Sequence, residues 1–551
     1  MVDEPVTVAV IGLGALGLVA MKNLLEVGFD VTGFDKRPYV GGLWQYTEES
    51  ALSVLESAWL VQTQFDDHVT DLTGFAQAPY RMDPSREAAL RTSHFQMDYA
   101  IDVPDFPLAS DMHRYLVSYA RHFGILPRAR LSTIVHRAEW NESTAKWEVE
   151  TSPADGPRTI YQFDKVVCSL GPDQVPNIPQ VQGLHRFAGE AVHSIGFKKP
   201  EKWAGKRVLV VGFGNTAADI AGVLVGTAEK VYLSHRSGAI ILPRWVDNKP
   251  VDHIRTYRKG VFLHQLSRYA PRLWMKLMNS FIIGLRNKLY DLRPEWGFDP
   301  APSVNQARPV VSDDLVHHLS NGHIISKPSI QQIIDGERVE FTDGTIVEVD
   351  RIIWCTGYTV DYSIVGKSDP TIYSVSEIGP FTTRKVPQLY QNMLSLDHPE
   401  SLAFMGNLSF MNPAFLMFDL ATMALGQIWA GRSKLPSQDE MRQSVDQHRK
   451  WIAQLAAKGQ VMPGLVKAAD WMDWAEEAAG LGMKENLGYG LRGWWFWLTD
   501  RRLCNLLMDG LLLPFHYRLF EGKRPRWKDA RETILKVHEE LHRKNTTKKW
   551  Q

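Results

Sequence analysis

The hydrophobic pattern opens on a β-branched run, Val6-Thr-Val-Ala-Val-Ile11, which goes straight into Gly12-Leu-Gly-Ala-Leu-Gly17. A strand that is apolar on nearly every residue has both faces covered, as in a parallel sheet. Residues 18–26 then read as a helix with Gly28 as its C-cap, and 31–34 as a second strand with Asp35 at its end. The order recurs at Lys206-Arg-Val-Leu-Val-Val-Gly212, followed by a loop to Ala217, a helix over 219–224 and a strand over 230–233 that ends in Ser234-His-Arg236. Between the two units, 111–123 predicts a helix with Met112, Tyr115, Leu116 and Tyr119 on one face. Strands predicted at 131–137, 147–151 and 163–170 complete the first sheet and add a small antiparallel flap. A hairpin turns at Asp343-Gly344, and 351–358 reads as a buried strand returning to the first sheet. From Ser401 the pattern is mostly helical: 413–431 apolar, 437–457 amphipathic, 494–520 rich in aromatics.

The stretch 261–292 departs from this plan. It predicts a helical insertion with Phe262, Leu266, Tyr269, Leu273, Leu277, Phe281 and Leu285 on one side, interleaved with Arg268, Arg272, Lys276, Arg286 and Lys288. Such a helix either packs on the domain face or is a basic amphipathic segment that lies on a membrane or lines an apolar entrance, and the pattern leaves both open.

Each glycine loop carries chemistry. Gly12, Gly14 and Gly17 supply a tight turn, close backbone approach to a pyrophosphate and tight helix–strand packing; Leu13, Ala15 and Leu16 bring amides of the helix N-terminus to the phosphates. Asp35 is placed to accept from ribose hydroxyls. Gly41-Gly42-Leu43-Trp44 follows closely and lets the backbone pass under the same ligand. In the second loop, Gly212, Phe213, Gly214, Asn215 and Thr216 repeat the arrangement, with Ala217 as the allowed third small residue. There Ser234 and Arg236 stand where the first unit has an acid; an arginine pairs with a 2′-phosphate that an acid would repel. The first loop therefore suits a dinucleotide without that phosphate and the second suits NADP(H). Thr356-Gly357 ends the strand expected to return to the first site, and Cys355 reads as a core thiol.

At 551 residues the chain is too long for one core. Lys plus Arg and Asp plus Glu both number 62, so no net field points to nucleic acid. The 3 cysteines form no Cys-x-x-Cys pair, which excludes a dithiol centre and suits a reducing compartment. No His/Cys cluster has metal-ligand spacing. The N-terminus lacks a signal-peptide pattern and no apolar run spans a bilayer, so the expectation is a cytoplasmic protein with, at most, peripheral membrane contact.

Phe187-x-Gly189-x-x-x-His193-x-x-x-Phe197-Lys198 lies between the two loops. With it, the chain resembles the class B flavin-containing monooxygenases of the eukaryotic dimethylaniline-monooxygenase type. Asp35-Lys-Arg-x-x-x-Gly-Gly-Leu-Trp44, Gly214-Asn-Thr-Ala-Ala-Asp-Ile220, Cys355-Thr-Gly-Tyr358 and Leu513-Pro-Phe-His-Tyr-Arg-Leu-Phe520 resemble further blocks of that family. The resemblance implies an α/β fold with two Rossmann-like domains, the FAD domain split by an inserted NADPH domain, plus a helical insertion and a mostly helical C-terminal region. The expected segments are 1–186 (FAD, first part), 187–330 (NADPH, insertion about 250–300), 331–430 (FAD, second part) and 431–551 (helical). It also implies FAD and NADPH as cofactors, Thr356-Gly357 beside the flavin, and oxygenation of a small amine or sulfur substrate by dioxygen through a C4a-hydroperoxyflavin. Where the family has a Thr-Asn pair positioning flavin and NADP, this chain has Thr92-Ser93, the candidate catalytic pair. It also lacks the hydrophobic anchor that ends the membrane-bound animal members. His193 is expected to orient the domains by hydrogen bonding rather than to carry protons. A Baeyer–Villiger monooxygenase, whose motif usually has tryptophan at the Phe197 position, and a redox-sensing flavoprotein with impaired oxygenation are the rival readings.

Overall fold

The computed structural model describes residues 5–45, 80–81, 98–99, 109–246, 249–250, 256–371, 385–409, 414–459, 461–462 and 464–547. The strands of its two main parallel sheets, in chain order, are β1 (Thr7–Ile11), β2 (Asp30–Phe34), β3 (Ala129–Arg130), β4 (Lys165–Cys168), β5 (Glu190–His193), β6 (Arg207–Val211), β7 (Lys230–Ser234), β8 (Ile324–Lys327), β9 (Arg351–Trp354) and β10 (Leu402–Phe404). They make two five-stranded sheets, ordered β10-β4-β1-β2-β3 and β5-β9-β6-β7-β8. Helix α1 (Ala15–Val27) follows β1 and helix α2 (Asn215–Leu224) follows β6. Gly28 ends α1 with a left-handed φ of 109°, the conformation for which a C-cap glycine is selected.

The alternation along β1 shows why its run is continuously apolar. Val8 and Val10 join the core shared with α1, whereas Ala9 and Ile11 pack with Trp147 and Val149 on the other face. Those two come from an antiparallel layer of three strands, Thr133–Asn141, Lys146–Pro153 and Thr159–Phe163. The second sheet repeats the plan. Val208 and Val210 face α2, while Leu209 packs with Ile333, Val339 and Phe341 of the layer Ile330–Asp335, Arg338–Phe341 and Ile346–Glu348. Each sheet is thus covered by a helix on one face and an antiparallel layer on the other.

One expectation is corrected. β9 does not return to the first sheet; it is inserted between β5 and β6, with Ile353 opposite both Val192 and Val210. Ile352 and Ile353 are apolar toward both faces, a pattern that suits the middle of either sheet, so the partner is chosen by contacts remote in sequence. Asp350 makes that choice visible: it accepts from the Arg207 backbone amide at 2.7 Å and from the Arg207 guanidinium at 2.8 Å, which sets β9 against β6. The chain crosses between the sheets at two places that lie side by side, Val175-Pro176 paired antiparallel with Tyr358-Thr359.

The insertion is two helices, α3 (Tyr257–Tyr269) and α4 (Pro271–Leu289), instead of one. Pro271 has no N–H to continue α3 and excludes Ala270 from helical geometry; Ala270 sits at φ −137°, ψ 61°. The C-terminal third is helical as expected. α5 (Ala414–Trp429) is buried along nearly its whole length against α1, and Gln438–Ala456 starts with a capping box between Ser437 and Glu440. α6 (Ala468–Ala479) and α7 (Leu491–Thr499) follow. One core runs from Val8 to Val537, so the C-terminal helices pack against the first sheet and α1. Among the described residues no helix is long and apolar enough to cross a membrane.

Beneath this core lies a buried set of charges. Arg518 pairs with both oxygens of Asp419, its Nη2 at 2.7 Å from Oδ1, and Asn23 Nδ2 donates to the same Oδ1 at 3.0 Å. Lys22 reaches Glu26 at 2.5 Å, and Arg524 also pairs with Glu26. Burial first, and the neighbouring Arg518 second, lower the Lys22 ammonium to about 8.

Glu476 on α6 is 9% exposed, and burial raises its carboxyl from 4.5 to about 7. The folded state then holds the proton more tightly than the unfolded state. Stability from this group is complete below pH 4.5 and is lost as pH rises to 7, by ~3 kcal/mol from the size of the shift. Glu476→Gln is therefore expected to raise the urea midpoint at pH 8 and leave it little changed at pH 4.5; equal effects at both pH values would refute the assignment.

Candidate functional site

The first glycine loop sits at the carboxyl ends of β1 and β4, the edge of a parallel sheet where ligands bind. Gly12 has φ +94°, and an added Cβ would lie 2.6 Å from the Ser169 carbonyl oxygen, so only glycine lets the loop pass β4. At Gly17 an added Cβ would lie 1.8 Å from the Gly12 oxygen, which fixes how closely α1 approaches the loop. Gly14 is different: the nearest atom to such a Cβ is Gly42 Cα at 3.8 Å, and space remains above the backbone. α1 begins there with no side-chain cap and no acid in its first turn, leaving its positive end open for an anion. Ala15 and Leu16 belong to this first turn. The backbone at Gly41 donates to the Leu13 carbonyl at 2.8 Å, so Gly42, Leu43 and the buried Trp44 lie directly against the loop. Two motifs distant in sequence thus form one wall.

Asp35 is 5% exposed and braces this wall. Its Oδ2 accepts from the Leu13 amide at 2.7 Å and its Oδ1 from the Arg37 amide at 2.9 Å. Each oxygen keeps a second lone pair for a hydroxyl.

The second loop repeats the backbone course of the first. Gly212 donates to the Ser234 carbonyl at 2.8 Å, as Gly12 does to Phe34. At Gly212 (φ +122°) an added Cβ would lie 2.3 Å from the Cys355 oxygen, whereas at Gly214 nothing stands within 4 Å. α2 also starts without a side-chain cap, and Asn215 on its first turn accepts from the Val311 amide at 3.0 Å. The counterpart of Asp35 is His235. Its buried ring has its nitrogens at 2.8 and 3.0 Å from the Ser237 and Trp296 carbonyls, meets Phe213 of the loop edge-on and stacks on Phe298. Burial lowers its pKa, against the Ser237 and Trp296 carbonyls, which raise it. Ser234 is buried too, with its hydroxyl on the Pro328 carbonyl at 2.7 Å. Arg236 is exposed and has no ion pair among the described residues. Thr216 lies in the first turn of α2.

The two halves meet at the paired crossings. Thr356 Oγ1 donates to the Asn177 carbonyl at 2.5 Å, and the Asn177 amide donates to the Gly357 carbonyl at 2.9 Å. His193 locks this junction: Nδ1 accepts from the Ile195 amide at 3.4 Å, so Nε2 carries the hydrogen and donates to the Gly357 carbonyl at 3.1 Å. Its ring rests edge-on against Tyr358, and burial lowers its pKa to about 4. A neutral imidazole with both nitrogens engaged by backbone orients the linker and takes up no second proton in the neutral range.

Arg308 was not singled out by any motif. It extends from the second half to hydrogen-bond Ser409, just beyond β10 of the first sheet. Its side chain is accessible yet walled in densely enough that lost solvation lowers its pKa against the pull of Asp173. The local signal, a lone arginine before Pro309, carries no periodicity or spacing. Thr92 and Ser93 lie outside the described residues. No metal-holding cluster occurs among the described residues.

Comparison with known proteins decides the family. The flavin-binding monooxygenase-like (FMO-like) family model matches residues 85–550. The chain belongs to this family. Monooxygenase aurF of Gibberella zeae is 48% identical over 537 residues, covering 97% of each chain. Flavin-containing monooxygenase 3 of Rattus norvegicus is 30% identical over 96% of this chain and 91% of its own. The structure of S-allyl-L-cysteine S-oxygenase from Allium sativum aligns with a TM-score of 0.58 at 20% identity, over 96% of this chain and 98% of that one, and so shares the fold. The chain is a flavin-dependent monooxygenase whose cofactors are FAD and NADPH.

Proposed function

We propose that this flavin-dependent monooxygenase uses NADPH and dioxygen to oxygenate a soft nucleophilic nitrogen or sulfur of a small molecule. The observation that carries the reading is the pair of open glycine loops with opposite ribose chemistry, Asp35 in one unit and Arg236 in the other, joined through paired crossings. Gly12–Gly17 would hold the FAD pyrophosphate and Asp35 its ribose, with Gly42, Leu43 and Trp44 beneath and Thr356-Gly357 alongside. Gly212–Thr216 would hold NADPH, with Ser234 shaping the strand end and Arg236 on the 2′-phosphate. Thr92 and Ser93 would position the oxygen-bearing face of the flavin. When bound, FAD reduced by NADPH activates dioxygen so that one oxygen atom passes to the substrate and the other leaves as water. The protein's own part is orientation and dryness: the linker held by His193 sets the two sites relative to each other, and Arg308 reaches across from the second half to the first.

The test is NADPH-dependent oxygen transfer to a panel of amines, thioethers and ketones, with product compared against NADPH consumed. Amine or sulfur oxides are expected. Esters formed from ketones alone would replace this reading with Baeyer–Villiger oxidation, and hydrogen peroxide from every compound would leave only an oxidase. In the same assay Arg236→Ala is expected to raise the KM for NADPH by about 10- to 100-fold, the loss of a charge-assisted pair, with little effect on NADH. Equal changes for both nicotinamides would remove Arg236 from the 2′-phosphate site.

A further inference from the structure

Arg308 stands between the two glycine loops. Just beyond it Val311 donates its amide to Asn215 at 3.0 Å, and Asn215 opens α2 at the second loop. The Arg308 side chain leaves that half, and its Nη2 donates to Ser409 Oγ. Ser409 lies in the segment that follows β10. At Gly406 in that segment an added Cβ would lie 3.2 Å from Leu16 of α1 and 3.4 Å from the Gly171 backbone, so this strap crosses the ligand edge of the first sheet. Ser409 is itself fixed. Its amide donates to the Gly464 carbonyl at 2.8 Å, and Asn392 donates to the Gly464 and Asn407 carbonyls at 3.3 and 3.0 Å.

A side chain held this way has donors to spare. A guanidinium carries about five N–H groups, and Ser409 accepts from one nitrogen. Among the described residues Arg308 makes no ion pair; Asp173 acts on it only through space. Arg308 is exposed, yet lost solvation lowers its pKa, and the pull of Asp173, which raises it, is the weaker effect. An accessible cation that is short of water lines a concavity, where an anion restores what the water would have given. Beside it the wall is apolar. Gln306 donates to the Leu455 carbonyl at 3.4 Å and Leu465 bridges to Ser409; both leucines belong to a small core whose Trp451, Val461 and Met462 are only partly buried.

We propose that Arg308 is a specificity-determining residue that receives a carboxylate of the substrate, so that the compound oxygenated is an organic acid with an apolar body carrying the soft nitrogen or sulfur. This inference rests on the oxygenation reading and narrows it. A carboxylate presents two oxygens to the guanidinium fork, and the apolar body meets the wall of Trp451, Val461 and Met462. The cofactors do not call on this arginine: their pyrophosphates have the open ends of α1 and α2, and the 2′-phosphate has Arg236. A cationic amine without an acid is repelled here, so the same residue selects for one class and against another.

The experiment compares (methylthio)phenylacetic acid with its methyl ester on the full-length, flavin-loaded protein in the presence of NADP⁺. Perturbation of the flavin absorption band gives a Kd for each compound, and sulfoxide formation gives kcat/KM. The acid is expected to bind more tightly than the ester. Arg308→Ala should lower the acid-to-ester ratio of both quantities by about 10- to 100-fold, the loss of one charge-assisted pair. Arg308→Lys keeps the charge without the fork and should recover part of the ratio; Ser409→Ala frees the guanidinium and should lower the ratio by less. A ratio taken within one variant is unaffected by any loss of folded protein. Equal binding of acid and ester by the parent protein would overturn the proposal. So would an Arg308→Ala variant that loses affinity for NADP⁺ while the ratio stands, which would give the residue to the cofactor. Binding of the acid through Arg308 with neither compound oxygenated would sink the oxygenation reading and leave the carboxylate site in place.

Discussion

Arg518→Met is expected to destabilise the chain by about 3–5 kcal/mol, because it leaves the Asp419 carboxylate buried without its guanidinium. The pair is nearly sealed, Arg518 at 1% and Asp419 at 5% exposure, so solvent cannot take over. Asn23 on α1 donates to the same carboxylate, so the damage reaches the helix that begins at the flavin loop. Flavin content should therefore fall together with the urea midpoint, although Arg518 lies in the C-terminal tail. The double variant Arg518→Met, Asp419→Leu removes both charges and should recover much of the loss. A double variant no more stable than the single one would show that the charge pair is not the cause.

The second large effect is expected at the first glycine loop, where two substitutions of the same size should behave differently. Gly17→Ala places a methyl 1.8 Å from the Gly12 carbonyl oxygen, and backbone must move to admit it. Purified protein should be colourless and also less stable without flavin. Gly14→Ala places its methyl in open space, with the nearest atom at 3.8 Å, so the flavin-free chain should keep its stability. That methyl occupies the space the pyrophosphate needs, and affinity for FAD should drop about 10- to 100-fold, the equivalent of one or two hydrogen bonds to charge. Titration with FAD and denaturation of the flavin-free forms separate the cases. Equal loss of flavin-free stability in both would contradict the geometry.

What could be read in the sequence follows from how local each signal is. The glycine loops, Asp35 and the Gly28 cap depend on contacts within some twenty residues, and they stand where their residue types put them. The strand over 351–354 was legible as a strand, but its sheet was not. Ile352 and Ile353 suit either core, and the choice rests on Arg207, far away in sequence. The break between α3 and α4 is marked by Pro271, but the apolar period continues across it and masks the break. Burial was the least legible property. The apolar side of α3 and α4 has the same period whether it faces a core or water, and only tertiary placement shows Phe262 and Phe281 outside. Arg308 gave no signal because its partner Ser409 lies on the other half of the molecule.

The side-by-side crossings limit how the two halves can move. Val175-Pro176 and Tyr358-Thr359 are joined by backbone pairing, with Asn177 and His193 both tied to Gly357. A ribbon held this way resists stretching and sliding, which would break those bonds. Away from it the halves are tied again, by Arg308 on Ser409 and by Arg258 and His264 on Asp509 and Asp473, so any parting of the two halves must release these polar ties while the ribbon stays joined.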